Sequence, residues 1–184
     1  MGFIKLQLET MNVLLYHTML SSMLNIFIFG HKSDLSQWRI VNDGVMGGKS
    51  TSSITVDENG RGLFSGDVSL ENNGGFASVR YESGLEDIRR YNSLKLKIKG
   101  DGKTYQLRVK GSKGDYHQYS YSVETTGEWQ TISVHFDKLQ PIFRGKLLDI
   151  PVFDGKEMHE VGFLIANGVA ESFALRIDEI SLQE

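Results

Sequence analysis

The chain has 184 residues, enough for one domain with a sizeable core and short for two. Hydrophobic residues make up 40% and charged residues 23%, which excludes an intrinsically disordered chain. A net charge of −3 argues against nucleic acid as a partner, and the lack of cysteine excludes disulfides, thiolate metal sites and cysteine nucleophiles.

Residues 1–30 form an apolar N-terminal segment. Within it, residues 13–29 contain no Asp, Glu, Lys or Arg. This run reads as a signal peptide, a short membrane anchor, a helix packed on the domain, or the tail left by a true start at Met11. The first two readings place the protein outside the cytoplasm or near a membrane, and the others leave it cytoplasmic. His17 and Asn25 interrupt the run, and no Ala-x-Ala-like cleavage site follows it. No Arg precedes Arg39, so a mitochondrial transit peptide is not apparent.

From residue 38 onward the pattern changes to a period of two, the mark of half-buried strands. Residues 38–41, 50–56, 63–70 and 76–81 each read as strands, separated by turn chemistry at Asn59-Gly60 and at Asn72-Asn73-Gly74-Gly75. Residues 85–91 are the best helical candidate. Leu94, Leu96 and Ile98 then alternate with Lys95, Lys97 and Lys99, and Tyr105, Leu107 and Val109 alternate with Gln106, Arg108 and Lys110. With Gly100-Asp101-Gly102 between them, the two runs predict a hairpin. Residues 116–123 form the next strand, with Tyr119, Tyr121 and Val123 on one face. Residues 129–136, 161–165 and 173–182 complete the set. Residues 137–157 hold both prolines and form the longest irregular stretch, as a functional or self-packed loop would. Twenty glycines against two prolines suit many strands joined by tight turns. The chain therefore reads as an all-β sandwich or barrel without βαβ units.

The search for chemistry yields little that is catalytic. The five histidines show no metal-ligand spacing, although His117 and His135 read as near neighbours on adjacent strands. Asn42-Asp43-Gly44-Val45-Met46-Gly47-Gly48 is glycine-rich, but it lacks the Lys-Ser/Thr ending and the strand-to-helix context of a phosphate loop, so it reads as a turn. No cofactor and no metal are indicated. A glycosidase needs two carboxylates across one cleft, which no spacing here establishes. Lys95, Lys97, Lys99, Arg108 and Lys110 should share one face of the predicted hairpin, either as a solvated, aggregation-resistant surface or as a patch for an anionic partner. Tyr119 has two readings, a core residue or a platform for a sugar or a partner's side chain.

Several blocks together are more specific than any one. Trp38-x-x-Val41-Asn42-Asp43-Gly44-Val45-Met46-Gly47-Gly48-x-Ser50 is followed by Phe64-x-Gly66-x-Val68-Ser69-Leu70-Glu71-Asn72-Asn73-Gly74-Gly75-Phe76-Ala77-Ser78-Val79-Arg80. Later come Trp129-x-x-Ile132, Pro141-x-Phe143-Arg144-Gly145 and Phe173-x-Leu175-x-Ile177-Asp178-x-Ile180. In this order they resemble the complex I intermediate-associated protein 30 family over residues 35–182. The resemblance implies a galactose-binding-like jelly-roll β-sandwich and a non-catalytic binding or assembly module. Mitochondrial members of that family assist assembly of the membrane arm of respiratory complex I, so the implied partner is a protein, such as a membrane-complex subunit. A carbohydrate-binding module of the same fold is the alternative. Asp43, Arg80 and Arg144 lie inside these blocks, beside turns or loops, and are expected to gather at one end of the sandwich. With Tyr119 they make the candidate binding set.

Overall fold

The computed structural model describes residues 23–184. Two antiparallel sheets face each other across one core. The first sheet runs β3 (Thr51–Val56), β4 (Gly62–Val68), β13 (Glu171–Gln183), β6 (Ser93–Lys99) and β9 (Trp129–His135). Strand β13 is long enough to hold two partners on one side. Its first half pairs with β4, and its second half pairs with β1 (Met23–Ile28). The second sheet runs β11 (Lys146–Leu147), β10 (Gln140–Phe143), β8 (Gln118–Glu124), β7 (Thr104–Lys110), β12 (Glu157–Ile165), β5 (Ala77–Glu86) and β2 (Trp38–Ile40). This is the jelly-roll sandwich of the galactose-binding-like class.

The alternation in sequence becomes two-sidedness in space. Leu94, Leu96 and Ile98 of the first sheet and Tyr105, Leu107, Val109, Val161, Phe163 and Ile165 of the second are fully buried between the layers. Burying one such side chain contributes on the order of 2 kcal/mol, so the core rests on many residues of similar weight. Among the described residues, no helix is long and apolar enough to cross a membrane.

The apolar run of residues 13–29 divides. Residues 13–22 lie outside the described part, whereas Met23–Ile28 is strand β1 of the first sheet. Phe27 and Phe29 extend the core, with ring centroids 5.3 Å from Trp38 in each case, and Trp38 lies 5.1 Å from Tyr81. Gly62 makes room for Phe29, since a Cβ there would fall 2.4 Å from its ring. The sandwich therefore includes β1, which precedes residue 35.

Five local expectations are corrected. The runs around residues 94–98 and 105–109 are both strands, but they do not form a hairpin: β6 lies in the first sheet and β7 in the second. The turn between them crosses the sandwich and is fastened there. Asp101 accepts hydrogen bonds from the Tyr105 hydroxyl at 2.9 Å, the Lys103 ammonium at 2.8 Å and the Ala174 amide at 3.0 Å. Thr125 Oγ1 donates to the Lys103 carbonyl at 2.8 Å, and a Cβ on Gly100 would collide with it. The five basic residues consequently belong to two faces, not one. On the first sheet Lys97 pairs with the buried Asp178 at 2.7 Å, while Arg108 and Lys110 lie on the second.

His117 and His135 are likewise separated, one preceding β8 of the second sheet and the other ending β9 of the first. Residues 85–91 are not a helix. Leu85 and Glu86 finish β5, Asp87 adopts φ +46°, and the amide of Ile88 is taken by the Gly155 carbonyl at 3.0 Å. The stretch 137–157 is not wholly irregular. Strands β10 and β11 form a hairpin at the edge of the second sheet, closed by Arg144 at φ +49° and Gly145 at φ +78°. Two consecutive positive φ values are what a two-residue type I′ turn requires.

A candidate binding cleft on the second sheet

The glycine-rich block centred on Asp43 folds into a single 3₁₀ turn, Asp43–Met46, ended by Gly47 at φ +90°. Asp43 is fully buried. One carboxylate oxygen accepts the Ser50 amide at 2.9 Å. The other accepts the Ser50 hydroxyl, the Gly75 amide at 2.7 Å and the Phe76 amide at 3.3 Å. Burial works against its ionisation, but these bonds outweigh burial and hold its pKa below the usual carboxylate value. The knot also explains both Gly-Gly pairs. A Cβ on Gly48 would lie 2.4 Å from the Asp43 carboxyl carbon, and one on Gly74 would lie 2.5 Å from its oxygen. Asn42 adds to the knot, accepting from the Ser52 hydroxyl at 2.8 Å and the Ser78 amide at 3.2 Å.

A second polar assembly lies on the outer face of the second sheet. Register places Arg39, Arg80, Gly162, Arg108 and Ser120 in one row across β2, β5, β12, β7 and β8. Gly162 interrupts this row of side chains. A Cβ there would come 2.0 Å from the Val79 carbonyl oxygen, so the backbones are too close for any other residue. Arg80 and Arg108 therefore face each other across a gap. Beside them, in the next row, Glu160 is buried and pairs with Arg39, with Arg80 at 3.7 Å. Lys110 is its register partner on β7.

The row opens into a cleft of about 180 Å³ whose walls include Arg80, Arg108, Lys110, Asp115, His117 and Arg144. Four cations face one acid there, in a chain whose net charge is −3. Tyr116 and Phe143 form the rim, 65% and 37% exposed, with ring centroids 5.4 Å apart in an edge-on contact. The Arg144 guanidinium lies over the Phe143 ring at 5.2 Å. Burial, and then the charge of Arg80, push the Arg108 pKa down to about 10. It remains a cation at neutral pH, held where its charge is poorly solvated.

Hydrogen bonding separates this cleft from the rest of the molecule. Among the described residues, the buried side-chain polar atoms without a protein partner are Trp38 Nε1, Arg108 Nε, His117 Nδ1, His117 Nε2 and Glu160 Oε2. All but the Trp38 atom belong to the cleft or to the row beneath it. Native proteins pair nearly all buried polar atoms, so such a concentration in one place calls for a reason. Among the described residues, no three His, Asp or Glu side chains come close enough to hold a metal ion.

The residues singled out in the sequence are only partly brought together. Arg80 and Arg144 share the cleft. Tyr119 is half-buried, packs against the core and lines an adjoining cleft of about 260 Å³ with Asp115, His117 and Phe153. Asp43 stands apart. Its partner Phe76 precedes Arg80 by four residues, roughly 13 Å of extended chain, and its oxygens are taken up inside the knot. The sequence reading did not single out Arg39, Glu160 or His117 for this site. The available signal was Gly162 within an otherwise strand-like run, which marks close backbone approach.

Comparisons with known proteins bear on the family and the fold. A profile of the complex I intermediate-associated protein 30 family matches residues 27–177. Complex I intermediate-associated protein 30, mitochondrial, of Drosophila melanogaster is 27% identical over 187 residues, covering 86% of this chain and 62% of the fly protein. The Mus musculus protein of the same name is 25% identical, covering 85% and 55% respectively. The chain thus spans little more than half the length of these relatives. Among solved structures, the family 11 carbohydrate-binding module of the cellulosomal cellulase Lic26A-Cel5E of Clostridium thermocellum superposes with a TM-score of 0.64 at 19% identity, covering 89% of this chain and 94% of the module. A family 29 carbohydrate-binding module gives a TM-score of 0.54 at 13% identity, with 88% of each chain covered. At these identities the structural likeness establishes the sandwich fold alone. The match along residues 27–177 shows that this chain belongs to the complex I intermediate-associated protein 30 family.

Proposed function

We propose that this chain is a non-catalytic binding module that holds a protein partner on the outer face of its second sheet, in the manner of an assembly factor. The observation that carries the reading is the cleft. It joins unpaired buried polar atoms to an exposed aromatic and aliphatic rim of Tyr116, Phe143 and Leu147. Partly desolvated cations beside exposed aromatic rings are the usual ingredients of interface hot spots. The fly and mouse relatives bear names that associate them with an intermediate of complex I and with mitochondria. An intermediate in the building of a membrane complex is the kind of partner such a surface would serve.

The test is site-specific photo-crosslinking in the native cell. A benzophenone amino acid at position 143 should give a discrete protein adduct, and the same group at position 131 on the first sheet should give none. Absence of any protein adduct from position 143 would sink the reading.

A second reading, carbohydrate binding, has one observation in its favour, the likeness of the sandwich to two carbohydrate-binding modules. Tyr119 and Tyr121 are partly buried against the core, although Tyr119 also lines the adjoining cleft, and among the described residues Tyr116 is the tyrosine ring most open to a sugar. A glycan array with specific binding that is lost on Tyr116→Ala would favour this reading over the first.

A further inference from the structure

The cleft also indicates the chemistry of what it holds. We propose that it receives an acidic side chain from a peptide segment of the protein partner, the carboxylate entering between the guanidinium groups of Arg80 and Arg108 while a neighbouring apolar side chain rests on Phe143 and Tyr116. This inference rests on the protein-binding reading above and adds the identity of the recognised group.

Charge complementarity is the first argument. The walls carry Arg80, Arg108, Lys110 and Arg144 against Asp115, and the buried Glu160 beside them is already shared between Arg39 and Arg80. An uncharged ligand would leave that excess uncompensated in a partly desolvated place. Unused hydrogen-bonding capacity is the second argument. Among the described residues Arg108 Nε has no acceptor, while one terminal nitrogen of the same guanidinium donates to Gln106 Oε1 at 2.6 Å, which leaves donors on a planar group whose geometry suits a carboxylate. Glu160 Oε2, beside the same row, accepts no hydrogen bond from the described residues and has Arg80 at 3.7 Å as its ion-pair partner. A peptide carboxylate supplies the acceptor that Arg108 lacks. A bare inorganic anion would supply that acceptor too, but nothing to cover the apolar rim of Phe143 and Tyr116.

The rim provides the third argument. Phe143, Leu147 and Ile150 on and after the β10–β11 hairpin are exposed, and they lie next to the charged cleft, not apart from it. Among the described residues, the edge strand β11 has a partner on one side only. An extended acidic segment therefore finds a charge site, apolar contact and free backbone groups within one short reach.

The test uses the full chain and a fluorescein-labelled octapeptide with glutamates beside a phenylalanine in a glycine-serine background, read by fluorescence anisotropy. Its twin carries glutamine in place of glutamate. The glutamate peptide should bind at least about tenfold more tightly than the twin, and the difference should shrink as salt is raised. Arg144→Ala, a change at an exposed turn, should weaken binding about threefold, and Arg108→Met about tenfold or more. Lys95→Ala on the first sheet should leave binding unchanged.

Equal binding of the twins, no binding of either, or full binding by both Arg variants would overturn the proposal. Displacement of the peptide by inorganic phosphate far below the acetate concentration needed would overturn it too, in favour of a phosphate site. A protein adduct at position 143 together with failure of the glutamate preference would discard the acidic-segment inference and leave the protein-binding reading standing. The absence of any adduct would discard that reading itself.

Discussion

The Asp43 knot and the Arg80–Arg108 cleft are built from similar materials, a buried charge, glycines that allow close approach, and neighbouring backbone. They differ in how fully their polar atoms are used. Each Asp43 oxygen is occupied, and the two Gly-Gly pairs shape the backbone around that one carboxylate. In the cleft, Gly162 brings two arginines to face each other, yet Arg108 Nε, both His117 nitrogens and Glu160 Oε2 find no hydrogen-bond partner among the described residues. Complete pairing spends a charge on the fold, whereas incomplete pairing stores it for another molecule. The sequence block that most clearly marks the family is thus scaffold, and the proposed partner surface lies on other strands.

The largest effect should come from breaking the knot. Asp43→Ala leaves buried amides of Ser50, Gly75 and Phe76 without acceptors, and is expected to destabilise the domain by about 3 kcal/mol in urea unfolding. Gly48→Ala should do comparable damage by steric collision with Asp43. A loss below about 1 kcal/mol in both would show that the knot is not the fastening described.

Acid should sharpen the same contrast. Asp43 and Asp101 have native pKa values below their unfolded values, because hydrogen bonds to each outweigh the effect of burial. Their contribution is therefore complete above the unfolded carboxylate pKa of about 4 and is lost as pH falls through the lower native values. Asp43→Asn is expected to flatten the acid limb of the stability curve below about pH 4. An unchanged acid limb would contradict this assignment.

The cleft should respond in the opposite sense. Arg108 is charged in a place that lowers its pKa, so its native state binds a proton less readily than the unfolded chain does. At neutral pH this opposes folding, and the penalty is relieved only as pH rises past about 10. Arg108→Met removes the charge and keeps the apolar stem, and is expected to stabilise the domain by about 1 kcal/mol. The smallest change in stability belongs to Phe143→Ala, within about 0.5 kcal/mol because the ring is on the surface, although partner capture should fall. A large loss of stability in either variant would make the cleft part of the scaffold.

Much of the fold was legible in the sequence because alternation with a period of two reports which side chains face the core. Leu94, Leu96 and Ile98 illustrate this, with lysines between them and full burial in the structure. Alternation does not report which strand pairs with which. The run at residues 94–98 and the run at 105–109 look like a hairpin, and only the contacts of Asp101 and Thr125 across the sandwich reveal that the turn changes sheet. The N-terminal apolar run was ambiguous for a related reason. Its composition is the same whether it meets lipid or pairs with the far half of β13. The cleft was half visible. Arg80 and Arg144 stood in recognisable blocks, whereas Arg108, His117 and Glu160 become a site only when β7, β8 and β12 are placed side by side.

The most direct measurement of the central claim is crosslinking yield from position 143 in the Arg108→Met background, with the thermal midpoint recorded on the same protein. The account predicts a midpoint at or above that of the unmodified chain and loss of most of the partner adduct. A lowered midpoint, or an adduct that persists undiminished in a stably folded variant, would contradict it.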